Sequence, residues 1–347
     1  MQQLGIGIVG IGFGQQVHVP AFRADPRARV VAICASSEER ARAVAAKLDI
    51  PAATGDWRAL CADPQVQVVA ISVPAPLQAQ IALAAIAAGK HVLCEKPLAA
   101  NLADAMRVAE AARDAGVVGA VDFEFPQIPA WQTAHELCAA RRMGRIRQVV
   151  ITWHIETYAY RNPAPSWKVD AARGGGTLNL FVSHTIQCLE WMLGQPITKV
   201  CARLSPPDAP AEARVHAWFE LADGTPVTVS VAADAFAGTG HRWEIYGDDG
   251  TMILENPGSD YVNGFSVRFG DRSSGGALAR VDQPLADPPA DGRIYAVAKL
   301  VTRMLDAIGG TTPTSAADGL PSLEIGVNVQ RVMDLMRKSE REKRWLT

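Results

Sequence analysis

A lysine set between a glutamate and a proline closes an apolar run in Cys94-Glu95-Lys96-Pro97-Leu98. About eighty-five residues earlier stands a glycine cluster, Gly10-Ile11-Gly12-Phe13-Gly14. Strand ends of an open parallel sheet line the crevice where ligands bind. An ammonium group placed there can hydrogen-bond a hydroxyl or carbonyl oxygen and move a proton. The glycines follow an apolar run and precede a helical pattern, the setting of a dinucleotide fingerprint. Gly10 permits a tight turn, and Gly12 lets the backbone approach a pyrophosphate. The third glycine of that pattern would fall at Gln15, so Gly14 is expected to supply the close approach instead. Together these features point to nicotinamide-dependent chemistry in which Lys96 assists hydride transfer.

The end of the second strand, Cys34-Ala35-Ser36-Ser37-Glu38-Glu39-Arg40, bears on which dinucleotide is used. Ala35 occupies the position where a carboxylate would grip the ribose hydroxyls. Ser36, Ser37 and Arg40 can receive a 2′-phosphate, so NADP is the expected cofactor. Ser37 acting as a helix N-cap, with Glu38 or Glu39 on the ribose, keeps NAD open. The histidines (18, 91, 135, 154, 184, 216, 241) show no HxxxH or HExxH spacing, and no metal is expected.

These groups need elements to hold them. Leu4–Val9, 30–34, 66–73, His91–Cys94 and 117–123 are apolar runs without alternation, separated by helical patterns over 37–48, 77–88 and 102–114. That alternation predicts a parallel sheet covered on both faces. After a helical stretch over 131–142 and a strand over 148–155, a loop rich in aromatics and prolines precedes Gly174-Gly175-Gly176 and a helix over 177–193. Asp223-Gly224 and Asp249-Gly250 then separate strand pairs as hairpin turns. A glycine- and proline-rich stretch over 273–289 reads as a long loop, and helices over 293–308 and 320–338 close the chain. The expected fold is an α/β Rossmann domain over 1–122, then an α+β domain over 123–319 with an open, mostly antiparallel sheet. Apolar content of 48%, charged content of 20% and a net charge of −2 suit a globular enzyme and point to neither nucleic acid nor an anionic membrane. The longest apolar run, 81–88, is too short to span a bilayer, and six cysteines without a CxxC pair read as free thiols. A strand pattern beginning at Leu4 leaves no secretory signal, and a cytoplasmic location is expected.

The chain resembles the Gfo/Idh/MocA family (glucose–fructose oxidoreductase, inositol dehydrogenase, MocA). The resemblance rests on the glycine turn continuing into His18-Val19-Pro20, on Ser72-Val73-Pro74, on the stretch from Gly89 to Leu98, on Trp167-Lys168, on the glycine triplet and on the helix bearing His184. It extends to a late Ala317-Asp318-Gly319 turn, which in the family precedes a helix (here 320–338) packing back on the nucleotide domain. The resemblance implies NAD(P)-dependent oxidation of sugars, cyclitols or related polyols. It assigns Lys96 to the nicotinamide ribose and the reacting oxygen, and His184 to the substrate hydroxyl and its proton. Phe13, Val73, Pro74, Glu95, Trp167 and Lys168 would border the cofactor, and Pro97 would follow a cis bond. Trp153, Tyr158, Tyr160 and Arg173, with His154, His241 and Trp243, are candidates for the substrate wall. One sheet face would close the active site; the other would pair subunits into a homodimer or homotetramer.

One departure matters. Family members commonly carry an aspartate four residues before that histidine, where this chain has Leu180. Asn179, five residues back, would be rotated away on an ordinary helix. Lys96 and His184 would then suffice, or Tyr158 or Tyr160 would donate the proton. Two alternatives stay open: a catalytically silent nucleotide-binding regulator or scaffold, and a lyase or glycosidase that oxidises its substrate only transiently.

Overall fold

The structure, a computed structural model, describes residues 3–162, 164–206, 209–258, 260, 263–285, 289–310 and 320–347. The described residues fall into two compact units: 1–124 with 293–330, and 125–292 with 331–347. The Ala317-Asp318-Gly319 turn lies outside the described residues.

The apolar runs of the first unit form β1 (Leu4–Val9), β2 (Ala28–Cys34), β3 (Ala52–Thr54), β4 (Val68–Ile71), β5 (His91–Cys94) and β6 (Gly119–Val121). They make a parallel sheet in the order β3-β2-β1-β4-β5-β6. Strand order reverses between β1 and β4, and a reversal of this kind opens a crevice at the carboxyl ends of the strands. β3 was not expected: three small residues carry no readable strand signal.

A π-helical turn at Gly14–His18 runs directly into α1 (Val19–Arg23). α2 (Glu38–Leu48), α3 (Trp57–Ala62), α4 (Ala75–Ala87) and α5 (Leu102–Ala115) cover the sheet. α4 gives way at Gly89, whose φ of 72° suits a residue without Cβ. Asn101 caps α5 by accepting from the Asp104 amide at 2.9 Å.

The second unit contributes α6 (Pro129–Ala139), β7 (Ile146–His154), α7 (Tyr158–Arg161) and α8 (Ser183–Leu193). Then come β8 (Ile197–Ser205), β9 (Arg214–Leu221), β10 (Pro226–Ala232), β11 (Gly240–Gly247), β12 (Gly250–Asn256), β13 (Ser266–Asp271) and β14 (Ala279–Arg280). The sheet is open, in the order β14-β13-β12-β11-β7-β10-β9-β8. Asp223-Gly224 and Asp249-Gly250 turn antiparallel pairs, as expected. β7 and β10 alone among its named pairs run parallel. β14 falls inside the stretch read from sequence as a loop.

α9 (Gly292–Ile308) belongs to the first unit, whereas sequence order places it within 123–319. Its Val297, Leu300, Val301, Met304 and Leu305 pack among Ile6, Ile8, Phe22 and Val30. α10 (Leu323–Glu342) divides between the units at Gln330. In the first unit, Cβ atoms on Gly119 and Gly326 would meet Leu323 at 2.3 Å and Val121 at 2.8 Å, so glycine permits this close packing. In the second, Ser339 Oγ accepts from the Ala202 amide of β8 at 3.0 Å. No helix among the described residues is long and apolar enough to cross a membrane.

Leu300→Ala should therefore destabilise the protein by about 3 kcal/mol, because a fully buried leucine leaves a cavity. Urea unfolding checks this; an unchanged midpoint would mean that α9 does not build the first core.

Candidate active site

In the first unit, four segments emerge from the strand ends side by side, tied by a row of backbone hydrogen bonds. Gly10 N–H donates to Cys34 O at 2.9 Å, Ser72 to Val9 at 2.8 Å, Glu95 to Ile71 at 2.9 Å and Asp122 to Cys94 at 2.7 Å.

The glycine turn is shaped by its neighbours. Gly10 has a φ of 105°, and a Cβ there would sit 2.2 Å from Ser72 O. A Cβ on Gly14 would lie 2.7 Å from Ser72 Oγ and 2.9 Å from Ile8 Cγ2. Gly14 thus makes the close helix–strand approach, and the π-helical turn starting there accounts for the missing third glycine at Gln15. Around Gly12 nothing lies within 4 Å of such a Cβ, so its backbone faces open space that a ligand can enter. Val73 and Pro74 are half-buried on the adjacent turn.

At the end of β2, Ser36, Ser37 and Arg40 are exposed together. Arg40 Nη1 donates to Ser36 Oγ at 2.7 Å, and Ser37 Oγ caps α2 by accepting from the Arg40 amide at 3.4 Å. Ser37 is therefore an N-cap and still borders the same cluster. Glu38 pairs with Arg42.

Lys96 is half-buried, and its bond to Pro97 is cis. A residue that sequence reasoning missed clamps this turn. Gln78 of α4 is 1% exposed, and its Nε2 donates toward Glu95 O, Pro97 O (2.8 Å) and Leu98 O (3.1 Å). His18, noted only as part of the family resemblance, is fully buried, with Nε2 2.9 Å from Asp122 Oδ2 and 3.7 Å from Glu95 Oε1. Glu95 Oε2 accepts from the Lys96 amide at 3.2 Å. Phe13 meets His18 edge-on at 5.2 Å, and the Arg293 guanidinium lies over Phe13 at 5.6 Å.

Burial pushes Glu95, Asp122 and Glu124 well above the usual carboxylate range, and the Lys96 charge pulls all three back. Burial lowers His18, against the charge of Glu95. No periodic pattern marks His18, Asp122 and Glu124, since their meeting depends on strand order.

In the second unit, His184 lies near the start of α8, 5% exposed, and stacks on Phe125 at 4.6 Å with 14° between planes. The stretch Leu178–Val182 is π-helical, which changes the rotation expected for Asn179. Asn179 is buried like His184, whereas Leu180 is only partly so. Asn179 is not a free acid–base substitute: its Nδ2 donates to Gly174 O (3.2 Å) and Gly175 O (3.3 Å), and its Oδ1 accepts from Arg337 at 2.6 Å.

The glycine triplet has a steric cause. A Cβ on Gly175 would meet Trp167 O at 2.3 Å, and one on Gly176 would meet Glu212 Oε1 at 2.4 Å. Glu212, also unforeseen, accepts from the Leu178 amide at 2.8 Å and so anchors the start of the helix that leads to His184.

The other expected wall residues separate. Trp153 is 1% exposed and stacks on His241 at 4.0 Å, while Trp243 Nε1 donates to His241 Nε2 at 2.7 Å. Burial drives His241 down to about 3. These three rings are packing, which corrects their reading as a substrate wall. His154 instead bonds Ser230 at 2.9 Å. Tyr160 donates to Glu212 O at 3.1 Å, and burial, aided by the charges of Glu212 and Asp234, raises its hydroxyl to about 12, which unsuits it as a proton donor near neutrality. Tyr158 is 71% exposed, Trp167 half-buried, and Lys168 and Arg173 exposed.

Two family models match this chain: an oxidoreductase family with an NAD-binding Rossmann fold over residues 4–123, and a GFO/IDH/MocA C-terminal domain over 131–253. An uncharacterized oxidoreductase of Synechocystis sp. is 33% identical, covering 99% of this chain and 95% of its own. Inositol 2-dehydrogenase of Streptomyces avermitilis is 30% identical over 78% of this chain and 81% of its own. Among solved structures, levoglucosan dehydrogenase in complex with NADH and levoglucosan gives a TM-score of 0.88 over 99% of both chains, at 23% identity, a likeness of fold.

Gln78→Leu should cost about 2 kcal/mol in urea unfolding, because it strips a buried donor from three carbonyls while keeping the side-chain volume. Unaltered stability would show that the Glu95–Leu98 turn holds itself.

Proposed function

The chain belongs to the Gfo/Idh/MocA family of oxidoreductases, and we propose that it transfers a hydride between nicotinamide and a secondary alcohol or ketone of a sugar, cyclitol or related polyol. The observation that carries this reading is the placing of Lys96: an ammonium on a clamped turn at a strand end, faced by buried carboxylates, in the same unit as an NAD-binding glycine turn. The inositol 2-dehydrogenase relative supports the substrate class.

The chain's residues fit a dinucleotide, since the Gly12 backbone faces open space while Gly10 and Gly14 hold the turn. Gly10, Gly12, Phe13 and Gly14 would bind the pyrophosphate, with Val73, Pro74, Glu95, Trp167 and Lys168 bordering the remainder. Ser36, Ser37 and Arg40 would hold a 2′-phosphate, so NADP is the proposed cofactor. Glu38, engaged by Arg42, is a poor competitor for ribose hydroxyls. When bound, the nicotinamide supplies the acceptor or donor of the hydride.

Lys96 hydrogen-bonds the reacting oxygen and stabilises its negative charge, a preorganised electrostatic role that needs no movement during reaction. His184, held in plane by Phe125, carries the second proton-handling role. Leu180 contributes none, and Asn179 is occupied by Arg337. We assign dimer or tetramer contacts to the outer face of the second sheet, where Trp218 is 45% exposed. Six free cysteines suit a reducing cytoplasm. The absent acid at Leu180 favours one other reading, a nucleotide-binding regulator without turnover.

Fluorescence titration separates the cofactors. Arg40→Ala should weaken NADPH binding about 10- to 100-fold, the worth of a charged hydrogen bond, and leave NADH binding unchanged. Tighter binding of NADH than NADPH by wild type would overturn the NADP assignment. On a polyol panel, Lys96→Met should lower kcat by about 10² or more. Cofactor binding without turnover of any polyol by wild type would leave the regulator reading standing.

A further inference from the structure

The pairing of His18 with Asp122 is not used by the hydride-transfer reading, and it has no evident packing purpose. Two proton-accepting groups, 0% and 1% exposed, stand 2.9 Å apart. That contact holds one proton, on Nε2 or on Oδ2. Glu95 Oε1 lies 3.7 Å from the same Nε2, and its side chain is 16% exposed. His18 Nδ1, Asp122 Oδ1 and Glu95 Oε1 are buried with no hydrogen-bond partner. Unpartnered buried polar atoms are costly and call for an explanation.

We propose that His18, Asp122 and Glu95 form a buried proton store behind Lys96 that sets the charge on its amine during turnover. The inference rests on the hydride-transfer reading. In alcohol oxidation an Nζ–H proton of the Lys96 ammonium passes to an ionised carboxylate of the store. The amine so freed takes the proton of the breaking substrate O–H bond, while the hydride leaves to the nicotinamide, and Lys96 is again an ammonium. Reduction runs the same bonds in reverse.

Every charged group facing the store enters this balance. Glu95, Asp122 and Glu124 supply negative charge; Lys96 opposes it, and Arg293 faces Glu124. Burial lifts Asp122 to about 7 and Glu95 and Glu124 to about 8, so protons come and go near neutrality. The His18, Glu95 and Asp122 atoms lie within 4.8 Å of one another, a spacing that would also suit a dication. The Lys96 ammonium acts on the same carboxylates and would repel one, so a proton is the better-matched occupant.

The store can be tested on the cofactor-free protein by thermal melting across pH. Carboxylates raised in the folded state bind more protons there than in the unfolded chain. Their stabilisation is full below the unfolded value of about 4 and is lost as pH rises through about 7 to about 8. His18, lowered, contributes the opposite slope below about 6.5. Wild type should therefore lose melting temperature from about pH 6.5 to about pH 9, by more than about 3 °C. Asp122→Asn should flatten that loss. Lys96→Met, at a half-buried position, should move the loss to higher pH by about half a unit, because the carboxylates lose their cation.

An unchanged pH slope in Asp122→Asn, or an unmoved midpoint in Lys96→Met, would overturn the proposal. If Asp122→Asn does not fold, Lys96→Met decides alone. Added zinc that raises the melting temperature of wild type but not of Asp122→Asn would also overturn it, by assigning a metal to the site. No substrate or nicotinamide enters these melts. Failure of the hydride-transfer reading would instead appear as absent NADPH turnover with the pH shifts intact.

Discussion

Four hydrogen bonds, each just beyond the end of a strand, decide what the first unit can do. Gly10 to Cys34, Ser72 to Val9, Glu95 to Ile71 and Asp122 to Cys94 extend the parallel ladder past the regular sheet. They hold the glycine turn, the Ser72–Pro74 turn, the lysine turn and the Asp122–Glu124 segment in fixed lateral order. Parallel pairing permits this because every strand delivers its following loop to the same edge. The glycines follow from that crowding: Gly10 has Ser72 O where a methyl would be, and Gly14 has Ser72 Oγ.

The same lateral order concentrates charge. β5 and β6 are neighbours, so Glu95 and Asp122 leave the sheet together, and the turn after β1 brings His18 onto both. Removal of carboxylates from water disfavours their ionised forms, while a nearby ammonium restores them. Burial prevails at Glu95, Asp122 and Glu124, which leaves protons on acids that would be bare in water. Lys96 works within that field as well as through its own geometry.

Much of this was legible in the chain. β1 and β5 appear with the expected ends, the Asp-Gly hairpins turn where expected, and Asn101 caps its helix. Their signals are local: continuous apolar runs, turn dipeptides and a capping side chain. The failures have non-local causes. Trp153, His241 and Trp243 carry aromatic and polar groups suited to a sugar wall, yet alternation along β7 and β11 points them into the core, where Trp153 stacks on His241 and Trp243 donates to it. Asn179 was placed by the rotation of an ordinary helix, and the π-helical stretch removes the basis of that argument. Gln78 and Glu212 lie far in sequence from the turns that they anchor, and nothing in their local pattern marks them.

The parallel pair inside the second sheet has an evolutionary consequence. β7 and β10 are hydrogen-bonded neighbours, but the chain between them travels to the far edge before returning through β8 and β9. The excursion from Ile155 to Pro196 carries Tyr158, Trp167, Arg173, the glycine triplet and His184. It enters from one strand and leaves to a strand at the sheet's margin, so residues can be gained or lost there without shifting the register of any ladder. Long connections of this kind tolerate insertion at small cost in closure entropy. The sheet can thus stay constant across descendants while the excursion is rewritten, which lets the surface it carries diverge without a new fold.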